Sequence, residues 1–198
     1  MSGRVLIPRV GDDPDAPFPP THEALDEPNG LLAGGGDLSP ERLLSAYRQG
    51  IFPWYSAGSP ILWWSPAPRC VLYPEDVYVS RRTRRRYNSG RYRLSIDQAF
   101  AEVIRACALP RQGEDGTWIT PDMEQAYIDL HGLGHAHSLE VWTNGELAGG
   151  IYGLALGAMF FGESMFSART DGSKIALIAL CKLLVRAGFR LMDCQVSN

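Results

Sequence analysis

The last third of the chain carries the pattern that most restricts its fold. Ser138 to Thr143 reads as a strand, Asn144-Gly145 is the dipeptide of a tight hairpin, and Glu146 to Ala155 returns as a second strand. Ala158 to Glu163 reads as a third strand. Ser173 then caps a helix through Ala187, with Gly188 just past its end, and Phe189 to Val196 reads as a final strand. Ile175 to Cys181 is apolar on every side, so that helix is expected to be buried. A hairpin, a third strand, a buried helix and a closing strand predict a mixed sheet packed by helices, an α+β class.

The N-terminal part is punctuated differently. Residues 1–37 are rich in Pro, Gly and Asp and read as coil. Ser39 is expected as N-cap and Pro40 as the first residue of a helix with Leu43, Leu44 and Tyr47 on its apolar face, stopped by Gly50. The segment GIFPWYSAGSPILWWSPAPR follows, with three Trp and four Pro. Neither a regular helix nor a central strand tolerates that proline density, so a rigid aromatic loop is expected. We place a small N-terminal domain at residues 1–65 and a larger one at 66–198. In the latter, Val71 to Val79 reads as extended, Arg93 to Ile96 as a strand and Asp97 to Cys107 as a helix. Thr120-Pro121 opens another helix, which buries Met123, Ala126, Tyr127 and Leu130.

Composition excludes several classes. With 198 residues and 45% apolar content, the chain can form a core without metals or disulfides. Cys70, Cys107, Cys181 and Cys194 form no C-x-x-C pair and read as buried reduced thiols, which fits a cytoplasmic protein. The N-terminus shows no apolar run of a signal peptide, and Ile175 to Cys181 is too short to span a bilayer. The formal net charge is −3, so any nucleic acid must be met by a local patch. Such a patch exists: Arg81, Arg82, Arg84, Arg85 and Arg86 give five Arg in six residues. Arg91 and Arg93 follow, with Tyr87 and Tyr92 interleaved. The bland reading is a solvated face; the functional one is phosphate contact with base or ribose stacking.

Three polar residues stand where core strands are expected. Alternation puts Glu163 on one face with Met159 and Phe161, as an acid/base or ammonium anchor, or as a strand-end carboxylate in water. Asp193 and Gln195 share a face of the last strand; Asp193 could orient the Gln195 amide, which could hold an attacking amine, or the two could form a structural pair. Ser164 in GESMF lacks the second glycine of a nucleophile elbow. His131, His135 and His137 read as packing or hydrogen-bonding residues rather than metal ligands. Strand–helix order of this kind is that of GNAT-type acyltransferases. The loop SARTDGSK, however, has a single glycine and an acidic Asp171, which disfavours the pyrophosphate of a CoA donor.

From about Phe18 onward, the segments NGLLAGGGDLS, GIFPWYS, WWSPAPR, GTWIT, LHGLGHAHSLEVW, GGIYG, FGESMFS, GSKIAL and DCQV occur in one order that resembles the bacterial leucyl/phenylalanyl-tRNA–protein transferases. The resemblance implies a small N-terminal domain, a GNAT-like catalytic domain and no cofactor. It implies transfer of Leu or Phe, and Met less well, from aminoacyl-tRNA to acceptor proteins that begin with Arg or Lys, marking them for the N-degron pathway. A cytoplasmic monomer without membrane partners is expected. By motif, Glu163, Asp193 and Gln195 correspond to the catalytic positions. Trp54, Trp118 and Tyr127 correspond to the pocket for the terminal adenosine and esterified residue. Ile151, Met165, Leu177, Leu180 and Met192 correspond to the side-chain pocket, and the arginine run to a tRNA contact. Ile151 stands where the family often has Met, and Leu180 where it often has Phe. The family continues past DCQ with a segment resembling HLxSLGAxxIxRxxF, whereas this sequence stops at Asn198, so the DCQ strand is expected to be an unpaired edge. The competing readings are a GNAT-like N-acyltransferase with another small acyl donor and a non-enzymatic tRNA-binding module. CoA binding would favour the former. The latter leaves the polar residues on core strands unexplained.

Overall fold

The computed structural model describes residues 6–110 and 117–196. The chain groups into two compact units, residues 1–68 with 110–126, and residues 69–109 with 127–198. Residues 117–126 thus group with the N-terminal unit.

The first unit is built on a four-stranded sheet of order β1-β2-β4-β3. Its strands are β1 (Arg9–Val10), β2 (Leu31–Gly35), β3 (Phe52–Pro53) and β4 (Leu62–Trp64), and helix α1 spans Pro40–Arg48. Two expectations are corrected here. The first 37 residues are not all coil: Leu31, Leu32 and Ala33 are buried in β2, and Thr21–Glu23 is a 3-10 turn. The aromatic segment also contributes a central strand, because β4 pairs with β2 and with β3. Its prolines explain how: Pro60 and Pro66 lie outside Leu62–Trp64, and Pro53 sits on the edge strand, where a missing N–H costs no ladder bond. Ser39 precedes α1 but makes no side-chain cap; its N–H donates to Asp37 Oδ1 at 2.7 Å. Arg42, fully buried, donates to Asp37 and to the carbonyls of Gly11 and Asp13.

The second unit carries a six-stranded mixed sheet of order β5-β10-β9-β8-β7-β6. Its elements in chain order are β5 (Val71–Leu72), α2 (Arg81–Tyr87), β6 (Arg93–Ile96), α3 (Phe100–Ala108), β7 (Ala136–Thr143), β8 (Glu146–Leu156), β9 (Met159–Ser167), α5 (Gly172–Arg186) and β10 (Leu191–Asp193). Helix α4 (Pro121–Gly132) precedes β7. The hairpin falls where Asn144-Gly145 places it, with φ of 51° and 82° as a tight primed turn demands. The α+β class with a small N-terminal domain and a helix-packed mixed sheet is the one expected.

Helices cover both faces of the sheet. A Cβ at Gly149 would lie 2.5 Å from the Gly172 carbonyl carbon, so α5 begins in direct contact with β8. A Cβ at the next residue, Gly150, would meet Val103 of α3 at 3.0 Å, on the opposite face. Leu139, Val141, Ile151, Phe160, Ile175, Ala176, Leu180 and Met192 share one core cluster under α5.

Several boundaries differ from expectation. Extended structure after Val71 ends at Leu72, because Pro74 opens a 3-10 turn over Pro74–Asp76. Helix α3 starts at Phe100 rather than Asp97; Asp97 adopts φ 56° and accepts the Ser138 N–H at 2.8 Å. Asp171 rather than Ser173 is the N-cap of α5, and the Ser173 N–H donates to Ser167 Oγ at 2.7 Å. The third strand extends to Ser167, and the final strand is only Leu191–Asp193. That final strand is no edge: β10 pairs parallel to β9 and antiparallel to β5. The neighbour comes from residues 71–72, far upstream in the sequence.

Candidate active site

Strand pairing itself builds the site. In the β9–β10 pair, Phe161 lies opposite Asp193, so Glu163 within β9 and Gln195 just past the end of β10, each two residues farther on, come side by side. Glu163 is also the extra residue of a β-bulge: Gly162 pairs with Gly153 and Ser164 with Tyr152, leaving Glu163 between them. Glu163 keeps the face expected from Phe161, opposite to Gly162, because it bonds Tyr127, which packs on Tyr152, whereas a Cβ at Gly162 would meet Met192 under α5; the bulge breaks the alternation between Glu163 and Ser164. The absent side chain at Gly162 matters too, because a Cβ there would lie 2.5 Å from Met192 Cε.

Glu163 is 8% exposed and accepts hydrogen bonds from two other parts of the chain. Gln195 Nε2 donates to Oε1 at 3.0 Å, and the Tyr127 hydroxyl donates to Oε2 at 3.1 Å. Tyr127 comes from α4, is fully buried and meets Tyr152 edge-on at 5.7 Å between ring centroids. A carboxylate only accepts, so the Gln195 NH2 faces Glu163 and the amide oxygen remains its acceptor.

Asp193 acts on Gln195 differently from the sequence expectation. The two do not share a strand face, since β10 ends at Asp193 and Gln195 lies beyond it with φ 62°. Asp193 Oδ1 accepts the backbone N–H of Gln195 at 2.7 Å, so it fixes the main chain rather than the amide. Asp193 is 3% exposed, and Arg69 Nε reaches both its oxygens, at 2.9 and 3.0 Å. Arg69 escaped the sequence reading. The only available signal was its place at the end of WWSPAPR, 124 residues from its partner.

The other candidate residues divide between the units. Trp54 and Trp118 belong to the first, where Trp54 is 45% exposed and tilts against Trp64 at 5.4 Å. Ile151, Leu180 and Met192 lie together in the core of the second unit, and Leu177 packs against them. Met165 faces Ile151 across the β8–β9 ladder and is exposed.

The arginine run is helix α2, capped by Ser80, whose Oγ accepts the Thr83 N–H at 3.2 Å. Arg81, Arg82, Arg84 and Arg85 are exposed; Arg86 pairs with Asp171 at the start of α5. Arg85, Arg86, Ser89, Arg91, Tyr92 and Arg169 contribute to the wall of a cleft of about 710 Å³. Arg93 does not join the interleaved patch freely: it stacks over Trp142 at 4.8 Å. His131 hydrogen-bonds the Ala136 carbonyl at 2.8 Å and stacks on Phe100, and His137 pairs with Asp97 at 2.8 Å. Among the described residues, no cluster of His, Cys, Asp and Glu has the make-up of a metal site, and no helix is long and apolar enough to cross a membrane.

Comparison with known proteins defines the class to which the chain belongs. Residues 71–198 match the model of the leucyl/phenylalanyl-tRNA protein transferase family, and residues 36–67 match that of its N-terminal domain. A leucyl/phenylalanyl-tRNA–protein transferase of Stutzerimonas stutzeri (strain A1501) is 59% identical over 184 residues, covering 93% of this chain and 81% of the relative. A protein of the same description from Chromobacterium violaceum is 54% identical over 193 residues, 98% of this chain and 82% of the relative. Among solved structures, a GCN5-related N-acetyltransferase from Kribbella flavida matches at TM-score 0.40 and 10% identity, over 82% of this chain and 57% of that one. The chain belongs to the leucyl/phenylalanyl-tRNA–protein transferase family.

Proposed function

We propose that the chain transfers Leu or Phe, and Met less well, from aminoacyl-tRNA to the α-amine of proteins beginning with Arg or Lys, marking them for N-degron degradation. The observation that carries the site assignment is the Glu163 carboxylate, nearly buried and held at 3.0 and 3.1 Å by Gln195 and Tyr127. The donor ester is already activated, so no covalent nucleophile is required. The acceptor nitrogen attacks the ester carbonyl, a C–N bond forms, the C–O bond to the tRNA breaks, and the amine proton ends on the released hydroxyl. What the reaction needs is placement of a neutral amine and compensation of developing charge.

In this reading Glu163 attracts an ammonium group brought by the substrates. With its NH2 committed to Glu163, Gln195 offers its amide oxygen to an N–H of the attacking amine. By the resemblance, Trp54 and Trp118 of the first unit are assigned to the terminal adenosine and esterified residue, and so, separately, is Tyr127 of the second. Ile151, Met165, Leu177, Leu180 and Met192 form a slot that admits γ-branched and aromatic side chains and crowds branching at Cβ. The exposed arginines of α2 contact tRNA phosphates. A monomeric state and a cytoplasmic setting complete the proposal.

Transfer of labelled leucine from leucyl-tRNA to an acceptor protein beginning with Arg tests it, with Glu163→Gln alongside. The wild type should transfer, and Glu163→Gln should lower turnover more than tRNA affinity. A wild-type chain that binds leucyl-tRNA without transferring leucine would overturn the enzymatic reading. Full turnover by Glu163→Gln would overturn the site assignment.

A further inference from the structure

Arg69 lies one contact behind the groups assigned to the substrates. Its Nε reaches both oxygens of Asp193 at 2.9 and 3.0 Å, in a position where Asp193 is 3% exposed. A carboxylate so deeply placed is tolerated when a cation and hydrogen bonds compensate it. The same Oδ1 accepts the Gln195 N–H at 2.7 Å. That bond holds Gln195 at φ 62°, a conformation unfavourable for a residue with a side chain. The neighbouring Cys70 supplies a backbone frame: its N–H donates to the Gln195 carbonyl at 3.1 Å and its carbonyl accepts the Cys194 N–H at 2.9 Å. The left-handed turn delivers the Gln195 amide to Glu163 at 3.0 Å.

We propose that Arg69 is a positioning residue for aminoacyl transfer: by pairing with Asp193 it locks the turn at Gln195 and so fixes the amide against Glu163. The inference rests on the catalytic assignment of Gln195 and Glu163 above. In it Asp193 takes no proton and polarises no amide; its charge is spent on Arg69 and one backbone N–H. Removing the guanidinium leaves a nearly buried carboxylate without its cation, which frees the turn and lets the amide leave Glu163.

The test is steady-state transfer of leucine from leucyl-tRNA by the full chain carrying Arg69→Met, Arg69→Lys, Asp193→Asn, the Arg69→Met/Asp193→Asn double variant and, in parallel, Gln195→Ala. Arg69→Met should lower kcat on the order of 10–100-fold, the scale of a lost positioned group. KM for leucyl-tRNA should stay within about threefold, which is within ordinary scatter for an untouched binding surface. Arg69→Lys, which keeps the charge, should recover turnover to within about tenfold of wild type. The double variant should be no slower than the slower single one, because residues acting through one contact do not add. It also removes the uncompensated charge, so it carries the test if Arg69→Met fails to fold. Multiplying losses in the double variant, or wild-type kcat in Arg69→Met or in the double variant, would overturn the role of Arg69 while leaving Gln195 in place. Wild-type turnover by Gln195→Ala would instead remove the catalytic assignment and the Arg69 proposal with it.

Discussion

Gln195 offers a test in which two variants should differ in stability yet lose activity alike. Its φ of 62° lies in the left-handed region, which costs an L-residue with a side chain about 1–2 kcal/mol. Glycine removes that strain but loses about 0.5–1 kcal/mol of extra backbone entropy on folding. Gln195→Gly and Gln195→Ala both delete the 3.0 Å bond to Glu163, so the difference between them isolates the backbone. The glycine variant should therefore be the more stable of the two by about 0.5–1 kcal/mol, or roughly 1–4 °C in Tm for a chain of this length. Activity should not follow. A hydrogen bond to a charged group is worth about 1.5–3 kcal/mol. At about 1.4 kcal/mol per tenfold in rate, both variants should lose about 10–100-fold in kcat. Calorimetry and leucine transfer under saturating leucyl-tRNA and acceptor give the two readouts. Near wild-type turnover in the glycine variant would place the amide outside the reaction. An alanine variant as stable as the glycine one would contradict the left-handed backbone at residue 195.

Three further expectations concern other parts of the molecule. Changing Arg84, Arg85 and Arg86 together to Ala should flatten the fall of log affinity for tRNA against log salt by about 2, because Arg84 and Arg85 are exposed while Arg86 is paired with Asp171; an unchanged slope would reduce α2 to a solvated face. Burial raises the Asp37 carboxyl, but hydrogen bonds from Ser39 and the charge of Arg42 outweigh it and hold it below its ordinary value of 3.8. Its contribution to stability is thus full above that value and is lost as pH falls below it through the lower folded-state one, so the Tm gap between wild type and Asp37→Asn should close in acid and persist at neutral pH. Gly149→Ala would push a Cβ to 2.5 and 2.6 Å from backbone atoms of Gly172, which no rotamer change relieves, and should destabilise the second unit by about 1–3 kcal/mol in chemical denaturation.

Elements fixed by local chemistry could be read from the sequence, and elements fixed by distant partners could not. The Asn144-Gly145 hairpin, α4 and the burial of Ile175 and Cys181 follow from turn chemistry and periodicity within a few residues. Strand β4 depends on pairing with β2 and β3, and its flanking prolines concealed it. The same division runs through the site. Glu163 and Gln195 could be singled out because polar residues on apolar strands demand partners. Their meeting requires the parallel β9–β10 register and the left-handed turn at Gln195, neither of which alternation encodes. Asp193 shows the consequence most clearly. Reading it on the same strand face as Gln195 made it the orienter of an amide; its actual partners are a backbone N–H two residues away and a guanidinium 124 residues away. A carboxylate satisfied in that manner is a support for the chain that carries the amide. Gln195 and the Arg69 that supports its turn thus come from opposite ends of the second unit's sequence, brought together beside the pairing of β5 with β10.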